Sequence, residues 1–536
     1  MHRMFRKNRC FMKHLSLVFL GILAALSSAF SEGTPRGGRP NIIIILVDDM
    51  GFSDIGSYGS EIPTPHLDAL AENGLRFSQF YNTGRCCPTR ASLLTGLYSH
   101  QAGVGHMTNA RSARGYIGRL NNECVTIANI ASEAGYHTAA SGKWHLGSSK
   151  KEWWPLGRGF DRFYGSPEGG GFYHRPKHGR TIVLNEDLVL DHQSQIPANW
   201  YCTDAFTEHG LRFIDEAIEK EKPFLLYLAH IAPHFPLQAD KADIEKYRGT
   251  FTKGWDQLSQ ERYERQLELG FIDPDWEKMP RPKEVPAWDS LSEKQRDRLD
   301  HLFATYAATI DRLDRSIGVL VSGLKERDQL DNTLILFLSD NGASAEGGTL
   351  GRTDGNPTEA NSNWWAGKAW AWHSNTPFRR YKKASEEGGI ATPLIAHWPD
   401  GIKEAGKWRN DPCHVIDILP TVLELTEGSY PEKKGEKEIL PFEGRSFASL
   451  LTGSSKEPRE APLFWEHEGN AAVREGKWKL LRVGGKGKWE LYDLEQDRTE
   501  QTNLAGTHPE LATELAEKWE QWARRCHVAP RGNPRK

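Results

Sequence analysis

Immediately after Pro40 the chain runs Asn41-Ile42-Ile43-Ile44-Ile45-Leu46-Val47, six consecutive apolar residues of which five are β-branched. A run without polar alternation predicts a strand buried on both faces, as in a parallel sheet covered by helices. Shorter apolar runs recur at 136–140, 224–228, 334–338 and 393–396. Between them, 124–134 and 292–324 carry helical patterns, the second polar at first and then amphipathic. This strand-helix alternation predicts an α/β domain with a mostly parallel central sheet flanked by helices.

The pattern changes twice further on. The Trp/Gly-rich stretch 344–375 has little periodicity and reads as a long functional loop. A charged segment at 431–438 follows the last α/β-like helix and predicts a boundary. Beyond it, short strands are expected at 462–465, 472–473, 478–482 and 489–493, with an amphipathic helix over 511–525. The expected organisation is a catalytic domain over 39–430 and a smaller C-terminal α+β subdomain with an antiparallel sheet over 439–536. A chain of 536 residues is too long for one ordinary core.

The first residues stand apart. Five basic residues (Arg3, Arg6, Lys7, Arg9, Lys13) precede the apolar run 15–26 and the small residues Ser27-Ser28-Ala29. This is the form of a signal peptide, expected to end by about residue 31. Export to the periplasm or the extracellular space follows, with no stable membrane insertion after cleavage. The formal charge of −3 includes those five basic residues, so the remainder has no basic excess and nucleic acid is not an expected partner. Seven widely spaced cysteines show no dense disulfide framework.

The candidate chemistry sits where the strands end. Ligands of open α/β sheets bind beyond the carboxyl ends of the strands, so polar clusters after separate strands are expected to converge. Asp48-Asp49 follows the first run and Asp340-Asn341 follows 334–338. Three carboxylates and an amide carbonyl form a hard oxygen site, suited to Ca2+ or Mg2+ rather than zinc.

Cys86-Cys87-Pro88-Thr89-Arg90, continued to Leu94-Thr95-Gly96, resembles the core signature of the type I sulfatases. Gly142-Lys143-Trp144-His145-Leu146-Gly147 resembles their second signature. The resemblance implies the alkaline-phosphatase-like fold and hydrolysis of a sulfate monoester. It also implies that a formylglycine-generating, or sulfatase-maturing, enzyme oxidises Cys86 to the aldehyde formylglycine. The hydrated aldehyde has two hydroxyls, one to attack sulfur and one to expel sulfate afterwards. Asp48, Asp49, Asp340 and Asn341 would bind one Ca2+, in preference to Mg2+, together with the modified Cys86 and the substrate sulfate.

The same resemblance assigns Lys143 to the sulfate and His145 to deprotonating the second hydroxyl. Arg90 would hold the formylglycine. His234, in His230-Ile231-Ala232-Pro233-His234-Phe235-Pro236, would face the leaving-group oxygen. Lys382, five residues before Glu387-Gly388-Gly389, would be the leaving-group lysine, with Lys383 its neighbour. Trp364 and Trp365 are candidates for binding substrate beyond the sulfate, against the reading that they fold their loop onto the domain. The substrate is expected to be a sulfated small molecule or glycan. The rival readings are a phosphonate or phosphate monoester hydrolase of the same superfamily and a non-catalytic glycan-binding protein on this fold.

Overall fold

The computed structural model describes residues 38–529, apart from 112, 198 and 455–458. The expected signal segment 1–31 lies outside the described residues. Residues from Arg39 onward form one compact unit. Among the described residues, no helix is long and apolar enough to cross a membrane.

The main sheet runs, in spatial order, Lys407–Arg409, Leu75–Tyr81, Ala391–His397, Thr333–Ser339, Asn41–Val47, Phe224–Ala229, His137–Lys143, Arg162–Ser166, Ile182–Leu184 and Asp187–Leu190. The five strands from Thr333–Ser339 to Arg162–Ser166 are mutually parallel. Ala391–His397 is antiparallel to both its neighbours. Leu75–Tyr81 therefore points the same way as the central five, and its carboxyl end opens on the same edge.

The two faces of Asn41–Val47 explain its unbroken apolar run. Ile42, Ile44 and Leu46 join one core cluster, whereas Ile43, Ile45 and Val47 join the other. Successive side chains of a strand point to opposite faces, so a strand covered on both sides needs an apolar residue at every position. Each fully buried Ile contributes roughly 1.5–3 kcal/mol of transfer free energy. The 34-residue helix Glu293–Glu326 starts at a Ser292 capping box with Gln295 and packs on the helix Cys202–Glu219.

The C-terminal sheet has the antiparallel order Leu463–His467, Asn470–Glu475, Trp478–Arg482, Trp489–Asp493. The helix Pro509–Arg525 covers it through Leu515, Trp519 and Trp522. Trp465 fastens this sheet to the first, donating from Nε1 to the Asn82 carbonyl at 2.8 Å.

Two segments differ from the sequence reading. The stretch 344–375 is not one irregular loop: Arg352–Asp354 and Asn363–Trp365 pair as a small hairpin, and Lys368–Ser374 is a helix. Burial of Trp364, Trp370 and Trp372 organises it. The strand Leu75–Tyr81 was missed because Arg76, Ser78 and Gln79 interrupt its apolar positions.

Candidate active site

Every chemically suggestive segment emerges at one edge of the main sheet. Asp48-Asp49 leaves Asn41–Val47, Lys143 ends its strand, His230 follows Phe224–Ala229, and Asp340-Asn341 leaves Thr333–Ser339. Lys382 and Glu387 precede Ala391–His397, which runs the opposite way, so they arrive at the same edge. The turn after Tyr81 leads into the helix Cys86–Thr95, with Cys86 its first residue and Arg85 its N-cap. Gly342 fits against the Glu387-Gly388-Gly389 turn because it lacks a side chain: a Cβ there would stand 1.9 Å from the Gly388 carbonyl oxygen.

Cys86 is 1 % exposed, with Sγ 3.8 Å from His145 Nδ1. The Cys87 thiol, and after it Lys143 and His145, hold the Cys86 thiol well below its ordinary range against the cost of burial. Its place in the first turn also sets it against unpaired backbone N–H groups that favour negative charge. Burial, with Lys143 nearby, lowers His145 to about 4, so its imidazole is neutral near neutrality.

Strand alternation does not bring Lys143 and His145 together. The strand ends at Lys143, and His145 sits at φ 60°, in the left-handed region. That twist brings its ring to Cys86. Lys143 Nζ donates to Asp48 Oδ2.

Arg90, fully buried, donates through Nη2 to Asp340 Oδ2 at 2.7 Å and through Nη1 to the Lys143 carbonyl at 3.0 Å. Its Nη2 also lies 3.8 Å from Asp48 Oδ2. The guanidinium thus fixes the carboxylates under Cys86 and makes no hydrogen bond to the sulfur. Thr89 locks the first turn of the same helix, donating to the Asp340 carbonyl at 2.6 Å.

Asp48, Asp49, Asp340 and Asn341 meet as expected. Asn341 Nδ2 donates to Asp49 Oδ1 at 2.7 Å, which aims its own Oδ1 elsewhere. That Oδ1 and Asp48 Oδ1 are buried oxygens without a hydrogen-bond partner. Burial and the adjacent Asp48 push the Asp340 carboxyl well above its ordinary value. Asp48 faces the same burial, but Lys143, His234 and Arg90 bring it to about 2. Orphaned acceptor oxygens beside crowded carboxylates fit a hard divalent cation. Asp48, Asp49 and His234 also offer three ligand atoms within 4.8 Å of one another.

His234 Nε2 stands 3.6 Å from Asp49 Oδ2. Burial lowers its pKa, with Asp49 acting in the opposite sense. His230, by contrast, is buried without a hydrogen-bond partner and lowered to about 3 by burial alone. Of the adjacent lysines, Lys382 is buried with Nζ 2.7 Å from Asp49 Oδ1, whereas Lys383 lies at the rim against Glu346 at 3.1 Å. Trp364 is not brought to the cluster. It is 5 % exposed, and its Nε1 donates to the Gly355 carbonyl. Trp365 does reach the site margin, stacked on Phe235 at 3.9 Å.

Two residues at the centre escaped sequence reasoning. Glu346 joins Arg85 at 3.1 Å, Lys382 at 3.0 Å and Lys383 at 3.1 Å. Arg85 immediately precedes Cys86, which was the available signal for it. Nothing in the sequence around Glu346 marks it.

A polarised buried thiol beside carboxylates with open acceptor oxygens, flanked by lysines and imidazoles, makes a site suited to hydrolysing an anionic ester. The family model described as Sulfatase matches residues 40–429, and the model described as N-sulphoglucosamine sulphohydrolase, C-terminal, matches 380–525. An uncharacterized sulfatase of Schizosaccharomyces pombe is 35% identical, covering 90% of this chain and 93% of its own length. An arylsulfatase of Klebsiella aerogenes is 34% identical over 80% of this chain and 96% of its own length. Among solved structures, Ps i-CgsB in complex with k-i-k-neocarrahexaose superposes with a TM-score of 0.65 at 27% identity, covering 90% of this chain and 93% of that one. The chain belongs to the sulfatase family, and the protein is a sulfatase, a hydrolase of sulfate esters.

Proposed function

We propose that this sulfatase cleaves the sulfate monoester of a glycan, using a formylglycine made from Cys86 and one Ca2+. The observation that carries the reading is the position of Cys86 at the start of a helix that Thr89 and Arg90 fix to Asp340, with its sulfur 3.8 Å from His145. Oxidation of the thiol to an aldehyde, hydrated at the site, supplies the paired hydroxyls for attack on sulfur and later release of sulfate. A Ca2+ held by Asp48, Asp49, Asp340 and Asn341 would supply positive charge for anionic oxygens.

The chain's own residues complete the chemistry. Lys143 and Lys382, both buried, set fixed positive charge where a sulfate dianion develops. Neutral His145 can accept a proton from a hydroxyl at position 86. His234, against Asp49, can donate a hydrogen bond to the leaving oxygen. Arg90 holds the carboxylates and the Lys143 backbone in register.

An oligosaccharide in the solved relative Ps i-CgsB supports a glycan substrate. Export is part of the proposal and rests on the basic-then-apolar residues that open the chain. The test is to coexpress the protein with a maturing enzyme and assay a sulfate ester beside phosphate and phosphonate esters. Sulfate release that depends on maturation is expected, and a clear preference for a phosphorus ester contradicts the proposal.

A further inference from the structure

From Lys382 an alternating chain of charge leads away from the nucleophile. Glu346 pairs with Lys382 at 3.0 Å and with Lys383 at 3.1 Å, and Lys383 Nζ lies 3.9 Å from Glu468 Oε2. Glu468 meets His106 Nε2 at 3.1 Å and lies 3.8 Å from His467 Nε2. His467 ends the strand Leu463–His467 of the C-terminal sheet, and Glu468 begins the turn that leads to Asn470–Glu475. That turn is fixed to the catalytic loop: Asn470 Nδ2 donates to the Lys383 carbonyl, and Lys383 N–H donates to the Gly84 carbonyl, each at 2.8 Å.

Beyond Glu346, which Lys382 and Arg85 hold, the outer links of this chain of charge add little to folding. The side chains of Glu346, Lys383 and Glu468 are 24%, 34% and 37% exposed, and ion pairs this exposed contribute little to stability. His467 is 2 % exposed, yet neither of its ring nitrogens has a hydrogen-bond partner. An unpartnered buried polar group is costly unless a ligand satisfies it. Lys382 also borders an aromatic pair, Phe235 stacked on Trp365 at 3.9 Å, with Nζ 5.2 Å from the Phe235 ring centre.

We propose that Glu346, Lys383, Glu468 and His467 form the subsite for the sugar ring carrying the scissile sulfate, reading its free vicinal hydroxyls. A hydroxyl both donates and accepts, so a surface alternating carboxylates, an ammonium and an imidazole matches a diol. The Phe235–Trp365 stack offers an apolar surface to the sugar ring's C–H face. His106, His467 and Glu468 could be taken for a metal triad, but Arg111 Nη2 lies 3.4 Å from His106 Nε2 and Lys383 stands beside Glu468, which disfavours a cation there.

The inference rests on the sulfatase reading, and the test separates the two. Matured wild type, His467→Ala, His467→Gln and Glu468→Gln are assayed on 4-nitrophenyl sulfate and on a set of galactose, glucosamine and N-acetylgalactosamine sulfates, with melting temperatures as a folding check. For the best pyranoside, KM should rise about 10-fold or more in His467→Ala and Glu468→Gln, because a site built for hydroxyls discriminates strongly. His467→Gln should recover part of that loss, and kcat/KM on the aryl ester should change by less than about 2-fold. Equal losses on both substrate types, or no loss on the sugars, overturn the subsite. So does a wild type that cleaves the aryl ester and none of the sugars, or stoichiometric zinc binding that His467→Ala removes. A wild type inactive on every sulfate ester would instead refute the sulfatase chemistry itself.

Discussion

Beneath Cys86, Asp48, Asp49 and Asp340 meet Arg90, Lys143 and Lys382; between the main and C-terminal sheets, Glu387 and Glu500 meet Lys479 and Arg498. Both groups are buried, and both mix carboxylates with cations. In the second, every carboxylate oxygen lies within 2.9 Å of a cation or a donor, although Glu500 Oε1 and the two Arg498 Nη atoms complete no hydrogen bond. Lys479 Nζ reaches Glu387 Oε1 at 2.8 Å and Glu500 Oε1 at 2.7 Å, Arg498 and Tyr81 reach Glu387 Oε2, and the Glu387 N–H reaches Glu500 Oε2. In the first, Asp48 Oδ1 and Asn341 Oδ1 face no donor. A buried cluster whose carboxylates are all held against cations or donors ties two sheets together. One that leaves buried acceptors on adjacent segments without a paired cation suits a ligand, and that difference separates the structural network from the site.

The largest expected effect removes a carboxylate from the open cluster. Asp340→Ala should lose bound metal and at least about 100-fold in kcat/KM, since even the outer partners of metal ligands cost 10–100-fold. Metal analysis beside circular dichroism checks it, and retained metal with retained activity would break the comparison. His234→Ala should cost about 100-fold or more in kcat while leaving metal content intact, the scale of a lost proton-transfer partner.

The closed cluster should respond in stability instead. Lys479→Met leaves Glu387 and Glu500 buried without their shared cation, and urea unfolding should show a loss of about 3–5 kcal/mol. Turnover per folded molecule should stay near wild type. The smallest expected effect is on pH dependence. Burial, together with the nearby Glu387, raises the Glu500 carboxyl to about 7 despite Lys479, above its ordinary 4.5. The folded state therefore holds a proton there that the unfolded chain releases, and this part of the stability falls as pH rises from about 4.5 to 7. Glu387, held at about 2 because Lys479 and Arg498 outweigh burial, acts in the opposite sense and below about pH 4.5. Melting temperatures of Glu500→Gln should vary less across pH 5–7 than those of wild type, and parallel slopes would contradict the assignment.

Much of this was legible beforehand, for a physical reason. A strand covered on both faces must be apolar throughout, so Asn41–Val47 and Thr333–Ser339 announce themselves, and the polar pair after each marks the edge where ligands bind. Leu75–Tyr81 was not legible, because Arg76 and Gln79 remain partly exposed within it. The position of His145 depends on a left-handed backbone that spacing does not reveal. Glu346 and Asn470 come from remote segments and meet Lys383 through tertiary packing, which no local pattern encodes.

The central claim is that Cys86 works as an aldehyde. Mass spectrometry of the peptide containing Cys86 and Cys87, from a preparation of measured sulfatase activity, tests it most directly. The account predicts formylglycine at position 86, an ordinary thiol at 87, and activity in proportion to the converted fraction. Full activity with Cys86 unmodified would contradict it.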